Sequence, residues 1–170
     1  MKKHFEMFAA YNAWANEQLY DAVSAISDDE YRRDMGAFFK SLHGTLNHLL
    51  VSDRIWMYRF TRQGQSPKSL DAILFDDFEN LQQARRAEDQ RIIDWIDGMS
   101  PEDIAGRFVY TTVTDMRTIS QRLSPALAHL FNHQAHHRGQ AHCILTALGH
   151  SAPSLDLIRF QRTEQGRQFA

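Results

Sequence analysis

Four segments of the chain repeat their apolar side chains with the 3.6-residue period of an α-helix. They cover residues 4–25, 41–62, 76–97 and 124–149. Because each segment has an apolar face that must be covered, and no comparable set of strand patterns is present, the sequence predicts an all-α fold built as a four-helix bundle. About 25 residues separate the third long helix from the fourth, which is long enough for a crossover connection over one end of the bundle.

Shorter elements are expected between and after the long helices. Ser27 and Glu30 have the spacing of a capping box, which starts a new helical turn. Between residues 107 and 119 the hydrophobic period changes to two, and strand-forming residues, Val113 among them, predict a small hairpin between the third and fourth long helices. A short helix is expected over residues 155–162.

Two of the long helices differ in how their faces are expected to be covered. In the second, Val51 and Ile55 lie opposite the main apolar face, so this helix is covered on more than one side, either by the bundle or by a second subunit. In the third, residues 82–90 carry only two alanines among charged and amide side chains. That pattern predicts a solvent-exposed face.

Size and composition indicate one domain over residues 1–170, because 43% of the residues are hydrophobic and only 8 are glycine and 4 proline. The 19 basic and 21 acidic residues form no long run of one sign, so nucleic acid is not expected as a partner. No signal peptide and no apolar run of roughly 20 residues is present, which predicts a cytoplasmic protein with no membrane partner. The single cysteine, Cys143, is expected to be buried and inert.

The fourth helical segment carries a stripe of histidines. Five of the nine histidines lie between positions 129 and 142, and His129, His133 and His137 recur every fourth residue through an otherwise apolar stretch. Positions four apart lie about 40° around a helix and one turn along it, so two such imidazoles can hold one ion. One buried histidine is usually a neutral imidazole satisfied by hydrogen bonds, but a shared cation satisfies several together. The stripe therefore predicts a divalent metal site.

The spacing of His133 and His137 matches the HExxH motif of zinc proteases, but the residue after the first histidine is Gln134. Glutamine cannot take a proton from bound water, so a metalloprotease is not expected. A third ligand has to come from another helix, and His43 and His48 in the second long helix are the candidates. These two lie roughly 140° apart around the helix, so only one of them can face the ion. Periodicity does not choose between them.

Motifs in three of the long helices resemble those of a known family. They are residues 11–16 (YNAWAN), residues 46–50 (LNHLL) with Asp53 and Trp56, and residues 132–140 (NHQAHHRGQ). Together they resemble the DinB/YfiT-like proteins over nearly the whole chain. The resemblance implies a four-helix bundle with crossover topology, a homodimer, and a divalent metal held by His48, His133 and His137. It thus selects His48 over His43 and places His129 beside the ion rather than on it.

The resemblance also implies a class of function. Family members include transferases or isomerases that use bacillithiol, mycothiol or a related low-molecular-weight thiol, proteins associated with sulfur-oxidation domains, and damage- or stress-induced proteins. Our leading hypothesis is a metal-dependent enzyme of the thiol S-transferase or hydrolase type that acts on a small-molecule substrate, with the metal as Lewis acid. The alternative is a non-enzymatic, metal-binding stress-response or damage-inducible dimer. A third hypothesis is a structural bundle whose histidines are satisfied by hydrogen bonds alone.

Residue types alone leave the metal and the catalytic base unassigned. Imidazole ligands suit several ions, so zinc or nickel is expected first, and iron or manganese is also compatible. Asp53, Tyr110 and Arg138 lie in or near the motifs, but each of them is as well explained by a structural role as by a catalytic one.

Overall fold

The computed structural model describes residues 1–112 and 115–170, and most of this length is helical. In chain order the elements are α1 (Lys2–Val23), α2 (Asp28–Arg32), α3 (Leu42–Thr61), α4 (Phe78–Asp97), α5 (Pro101–Ala105), β1 (Arg107–Thr111), β2 (Thr118–Arg122), α6 (Leu123–Ala147) and α7 (Leu157–Phe160), followed by a 3₁₀ turn (Arg167–Phe169). The predicted all-α class, the four long helices and the small hairpin are confirmed. Val113, one of the predicted strand formers, lies outside the described residues.

The four long helices form a bundle in which α1 and α3 occupy opposite corners. Each of these two packs against both α4 and α6. Contacts near both ends show that α1 is antiparallel to α4 and α3 is antiparallel to α6. By the same criterion α1 is parallel to α6 and α3 is parallel to α4. The connections from α1 to α3 and from α4 to α6 therefore cross the ends of the bundle, and residues 62–77 run back along its length.

Side-chain caps mark where several helices begin. Ser27 accepts from the backbone N–H of Glu30, and the Glu30 carboxylate accepts from the Ser27 N–H, which completes the predicted capping box. The side chains of Ser41 and Asp77 cap α3 and α4. Each accepts one hydrogen bond from a backbone N–H in the first turn of its helix. The long helices consequently start within a few residues of the positions that the sequence indicates.

The apolar core consists of two large clusters, one toward each end of the bundle, and a small third cluster of Trp14, Ala15 and Phe160. One large cluster contains Leu19, Leu46, Leu50, Leu81 and Leu145, and the other contains Phe5, Met57, Ile92, Ile96 and Leu127. Val51 and Ile55 on α3 are also buried, so the bundle itself covers this helix on more than one side. Among the described helices, none has a stretch that is long and apolar enough to cross a membrane.

Two expectations about exposure do not hold as stated. Residues 82–90 form a solvated face only in part, because Gln83, Arg86 and Gln90 are exposed whereas Arg85, Glu88 and Asp89 are buried. Their partners lie on other helices, which a local polar pattern does not reveal. Cys143 is exposed rather than buried, because Ile144, the next residue along α6, takes the inward position.

Candidate metal centre

Three histidine side chains meet between α3 and α6. His48 Nε2 lies 3.3 Å from His133 Nε2 and 3.2 Å from His137 Nε2. Around an ion about 2.0–2.1 Å from each nitrogen, tetrahedral angles place two ligand nitrogens roughly 3.3–3.4 Å apart. The spacing of these three nitrogens therefore fits one small divalent ion.

Hydrogen bonds to the outer nitrogens decide which tautomer two of these histidines adopt. His48 Nδ1–H donates to the Leu70 carbonyl oxygen at 2.7 Å, and His137 Nδ1–H donates to Gln140 Oε1 at 2.8 Å. Because a neutral imidazole has only one N–H, both Nε2 atoms carry lone pairs. Two lone pairs 3.2 Å apart repel each other unless a cation lies between them.

Burial keeps the three imidazoles neutral at pH 7. It lowers the pKa of His48 to about 4, and together with the neighbouring imidazoles it lowers the pKa of His133 to about 3. The pKa of His137 is also lowered by burial. Neutral imidazole is the form that binds a metal, so the site does not have to lose protons at pH 7 before it can take up an ion.

The chain segments around the site explain why the three histidine side chains meet. His133 and His137 are one turn apart on α6, and the antiparallel α3 brings His48 opposite them. Phe39, in the turn before α3, stacks on the His48 ring with ring centres 3.8 Å apart. Residues 62–77 pass beside α3 and bring the Leu70 carbonyl to His48. Sequence reasoning missed Phe39 and Leu70, because neither one belongs to a helical pattern.

The structure separates the remaining histidines from this cluster. His43 faces another side of α3, where its Nε2 lies 3.3 Å from the Phe75 carbonyl oxygen. His129 is exposed and lies one turn from His133, with ring centres 5.9 Å apart. His136 is exposed and contacts Gln140. The three histidines that the resemblance selects are thus the ones that the fold brings together, and their binding of a metal stays a prediction.

Comparisons with known proteins show the family and the fold of this chain. The sequence model of the DinB family matches residues 1–168. This chain belongs to the DinB family. It is similar to Protein DinB of Bacillus subtilis (strain 168), with 22% identity over 153 residues that cover 86% of this chain and 87% of the relative. A DinB-like protein from Bacillus cereus ATCC 10987 has a similar fold, with a TM-score of 0.64 and 14% identity over 83% of this chain and 90% of that one.

Gln134, the residue that departs from the zinc-protease motif, has a different role in this DinB-family chain. Its side chain is fully buried and donates to Asp53 Oδ1 at 2.5 Å and to the Leu49 carbonyl oxygen at 3.1 Å. It therefore links α6 to α3 inside the bundle. A carboxylate at this position would face Asp53 rather than the three histidines.

Asp53 and Gln134 belong to a layer of buried polar side chains that lies between the two large apolar clusters. We call it the polar layer, and its other members are Asn12, Asn16, Arg85, Asp89 and Arg138. Arg85 Nη2 lies 2.8 Å from Asp53 Oδ2 and 3.0 Å from Asp89 Oδ1, and the two asparagines bridge Asp89 to Arg138. Two carboxylates and two guanidinium groups balance in charge. Burial raises the pKa of Asp53, and the Arg85 guanidinium opposes that rise by stabilising the carboxylate.

Aromatic side chains extend the site along the seam between α3 and α6. The Trp56 ring lies 5.1 Å from the His129 ring and 5.6 Å from the Tyr110 ring, measured between centres. Tyr110 comes from β1 and donates its hydroxyl to Gln121 Oε1 on β2 at 3.1 Å. The row of rings that begins at the three histidines therefore ends at the hairpin.

Proposed function

We propose that this DinB-family protein binds one divalent metal ion through His48, His133 and His137 and uses it in a reaction of the thiol S-transferase or hydrolase type. The observation that carries the proposal is the 3.2 Å approach of two Nε2 atoms whose imidazole protons are held on the opposite nitrogens. Hydrogen bonding between the two rings does not account for this approach, because neither Nε2 atom has a proton to donate.

The donor set and its surroundings suit this chemistry. When bound, a divalent ion would act as a Lewis acid and lower the pKa of a coordinated thiol or water. Three neutral imidazoles leave the charge of such an ion undiminished. His133 is half-buried, so a small molecule can approach from its side, and Phe39 keeps water from one face of the His48 ring.

Zinc or nickel is the first ion to test, and iron and manganese follow. Three imidazoles without a carboxylate or thiolate are compatible with all four ions. Purified protein should be loaded with each ion in turn, desalted and analysed for metal content. We expect about one equivalent per chain with the ion that fits.

Alanine variants test the ligand assignment. His48→Ala and His133→Ala should each reduce the retained metal to a small fraction of an equivalent, whereas the control His136→Ala, at an exposed histidine on the same helix, should retain a full equivalent. Wild-type protein that holds no ion near one equivalent would contradict the proposal.

Activity assays then separate enzyme from sensor. The metal-loaded protein should transfer a low-molecular-weight thiol to an electrophile or hydrolyse an activated ester, and His133→Ala should abolish the turnover. Bound metal with no turnover across a panel of thiols, electrophiles and esters would instead favour the non-enzymatic, metal-binding protein. The homodimer is a separate proposal, and light scattering at several protein concentrations tests it.

A further inference from the structure

Arg59 lies on the same face of α3 as His48 but outside the histidine cluster. It follows His48 by roughly three helical turns and lies about 20° around the helix from it. Its side chain is half-buried. The guanidinium carbon lies 4.5 Å from the centre of the Trp56 ring and 4.7 Å from the centre of the Tyr110 ring. Two aromatic rings thus hold this cation in one place.

A row of rings joins Arg59 to the histidine cluster. From the guanidinium the row passes to Trp56, then to His129, and then to His133. Side chains on a helix lean toward its N-terminus, so Arg59 leans back toward His48. The distance between the guanidinium and the cluster is on the order of 10–15 Å.

Arg59 differs from the other buried or half-buried arginines in lacking an acceptor. Arg85 lies against two carboxylates, Arg138 donates to two asparagines, and Arg91 donates to Glu88. Within residues 1–112 and 115–170, no carboxylate lies within ion-pair distance of Arg59 and its guanidinium makes no hydrogen bond. Partial burial of an unpaired guanidinium is costly, and an anion bound to it would offset that cost.

We propose that Arg59 binds the anionic group, carboxylate or phosphate, of the same small molecule whose reactive atom lies at the three histidines. A guanidinium presents a planar fork of N–H donors that matches either anion. The substrate or thiol cofactor would then be an elongated molecule with its thiol or ester at one end and its negative charge on the order of 10–15 Å away. Only the position of the thiol or ester at the three histidines rests on the proposed function, and the anion site at Arg59 does not. The proposal makes Arg59 a specificity-determining residue.

Matched pairs of thiols test the proposal by calorimetry on zinc-loaded protein. One pair is 4′-phosphopantetheine and pantetheine, which differ by a phosphate, and the other is glutathione and its diethyl ester, which differ in two carboxylates. We expect at least one anionic member to bind about tenfold or more tightly than its neutral counterpart, as is usual for a charge-assisted hydrogen bond. The pair with the larger ratio identifies the anion as phosphate or carboxylate.

Variants at Arg59 assign the effect to this residue. Arg59→Gln should bring each ratio close to one while the affinity for the neutral thiol and the zinc content stay unchanged. Arg59→Lys, which keeps the charge and loses the planar fork, should give an intermediate ratio. Arg86→Gln removes an exposed arginine from α4 and should leave the ratio at its wild-type value. A wild-type ratio near one, or a ratio that survives Arg59→Gln, would overturn the proposal.

A second measurement separates this proposal from the metal hypothesis. Inorganic phosphate or acetate, titrated alone into metal-free protein, should shift the indole N–H resonance of Trp56 in wild type and in His48→Ala. The shift should disappear in Arg59→Gln. If the protein retains no metal but this shift is present, the proposed function fails while the anion site stands. If metal binds and neither anion shifts the resonance, the anion site is wrong.

Discussion

The three-histidine cluster and the polar layer are both buried sets of polar side chains, and they differ in whether opposite charges meet inside them. In the polar layer, Arg85 faces two carboxylates, Arg138 faces two amides, and the charges cancel. In the cluster, the unprotonated Nε2 atoms of His48 and His137 face each other. A buried network in which opposite charges are paired stabilises a fold, whereas buried lone pairs that face each other indicate a site for a cation.

The largest effect is expected from removing the cation of Arg85 from the polar layer. Arg85→Met leaves Asp53 and Asp89 buried without their cation, and removing one partner of a buried ion pair typically costs about 3–5 kcal/mol. Urea unfolding should therefore show a free energy of unfolding lower by that amount. Arg86→Met, at the exposed neighbouring position, should change it by less than about 0.5 kcal/mol. Equal effects of the two variants would mean that the polar layer does not stabilise the bundle.

The second-largest effect is expected from adding a metal ion to the three-histidine cluster. Zinc at about 100 times its dissociation constant should stabilise the wild-type protein by about 2.7 kcal/mol, because the folded state alone presents the three imidazoles together. The melting temperature should rise accordingly in wild type and in His43→Ala, whose histidine faces elsewhere. It should not rise in His48→Ala. A rise of the same size in His48→Ala would place the metal elsewhere.

A smaller effect is expected from the side chain that orients one ligand. Gln140→Leu removes the acceptor of the His137 Nδ1–H bond, and loss of such a partner typically weakens metal binding by 10–100-fold. A competition titration with a chelator of known affinity measures this change. Because Gln140 also contacts His136, His136→Ala serves as the control and should leave the affinity at the wild-type value. Unchanged affinity in Gln140→Leu would show that packing alone orients His137.

The helices and the histidine stripe were predictable because their signals are local. Apolar periodicity and the Ser27 cap depend on neighbouring residues, and so does the four-residue spacing of His133 and His137. The choice of His48 over His43 required the family resemblance, since two faces of α3 are buried and only the tertiary fold shows that His43 turns to the Phe75 carbonyl.

Other parts of the site depend on contacts between distant segments. A polar stretch in α4 was expected to face solvent, and its Arg85 and Asp89 are instead buried because Asn12, Asn16 and Asp53 on other helices supply their partners. The Leu70 carbonyl that holds His48 has no sequence signature at all, because every residue carries a carbonyl and only the path of residues 62–77 selects this one.

The smallest effect concerns the aromatic ring that covers His48. Phe39 stacks on the imidazole at 3.8 Å and an interplanar angle of 18°, whereas the adjacent Phe38 is 83% exposed. Aromatic pairs contribute about 0.5–1.5 kcal/mol beyond the area they bury, so Phe39→Leu should weaken metal binding by roughly 2–12-fold and Phe38→Leu should not change it. The chelator competition resolves this difference. Equal affinities in the two variants would mean that the Leu70 carbonyl alone fixes the His48 ring, and the cluster would then depend on hydrogen bonds as fully as the polar layer does.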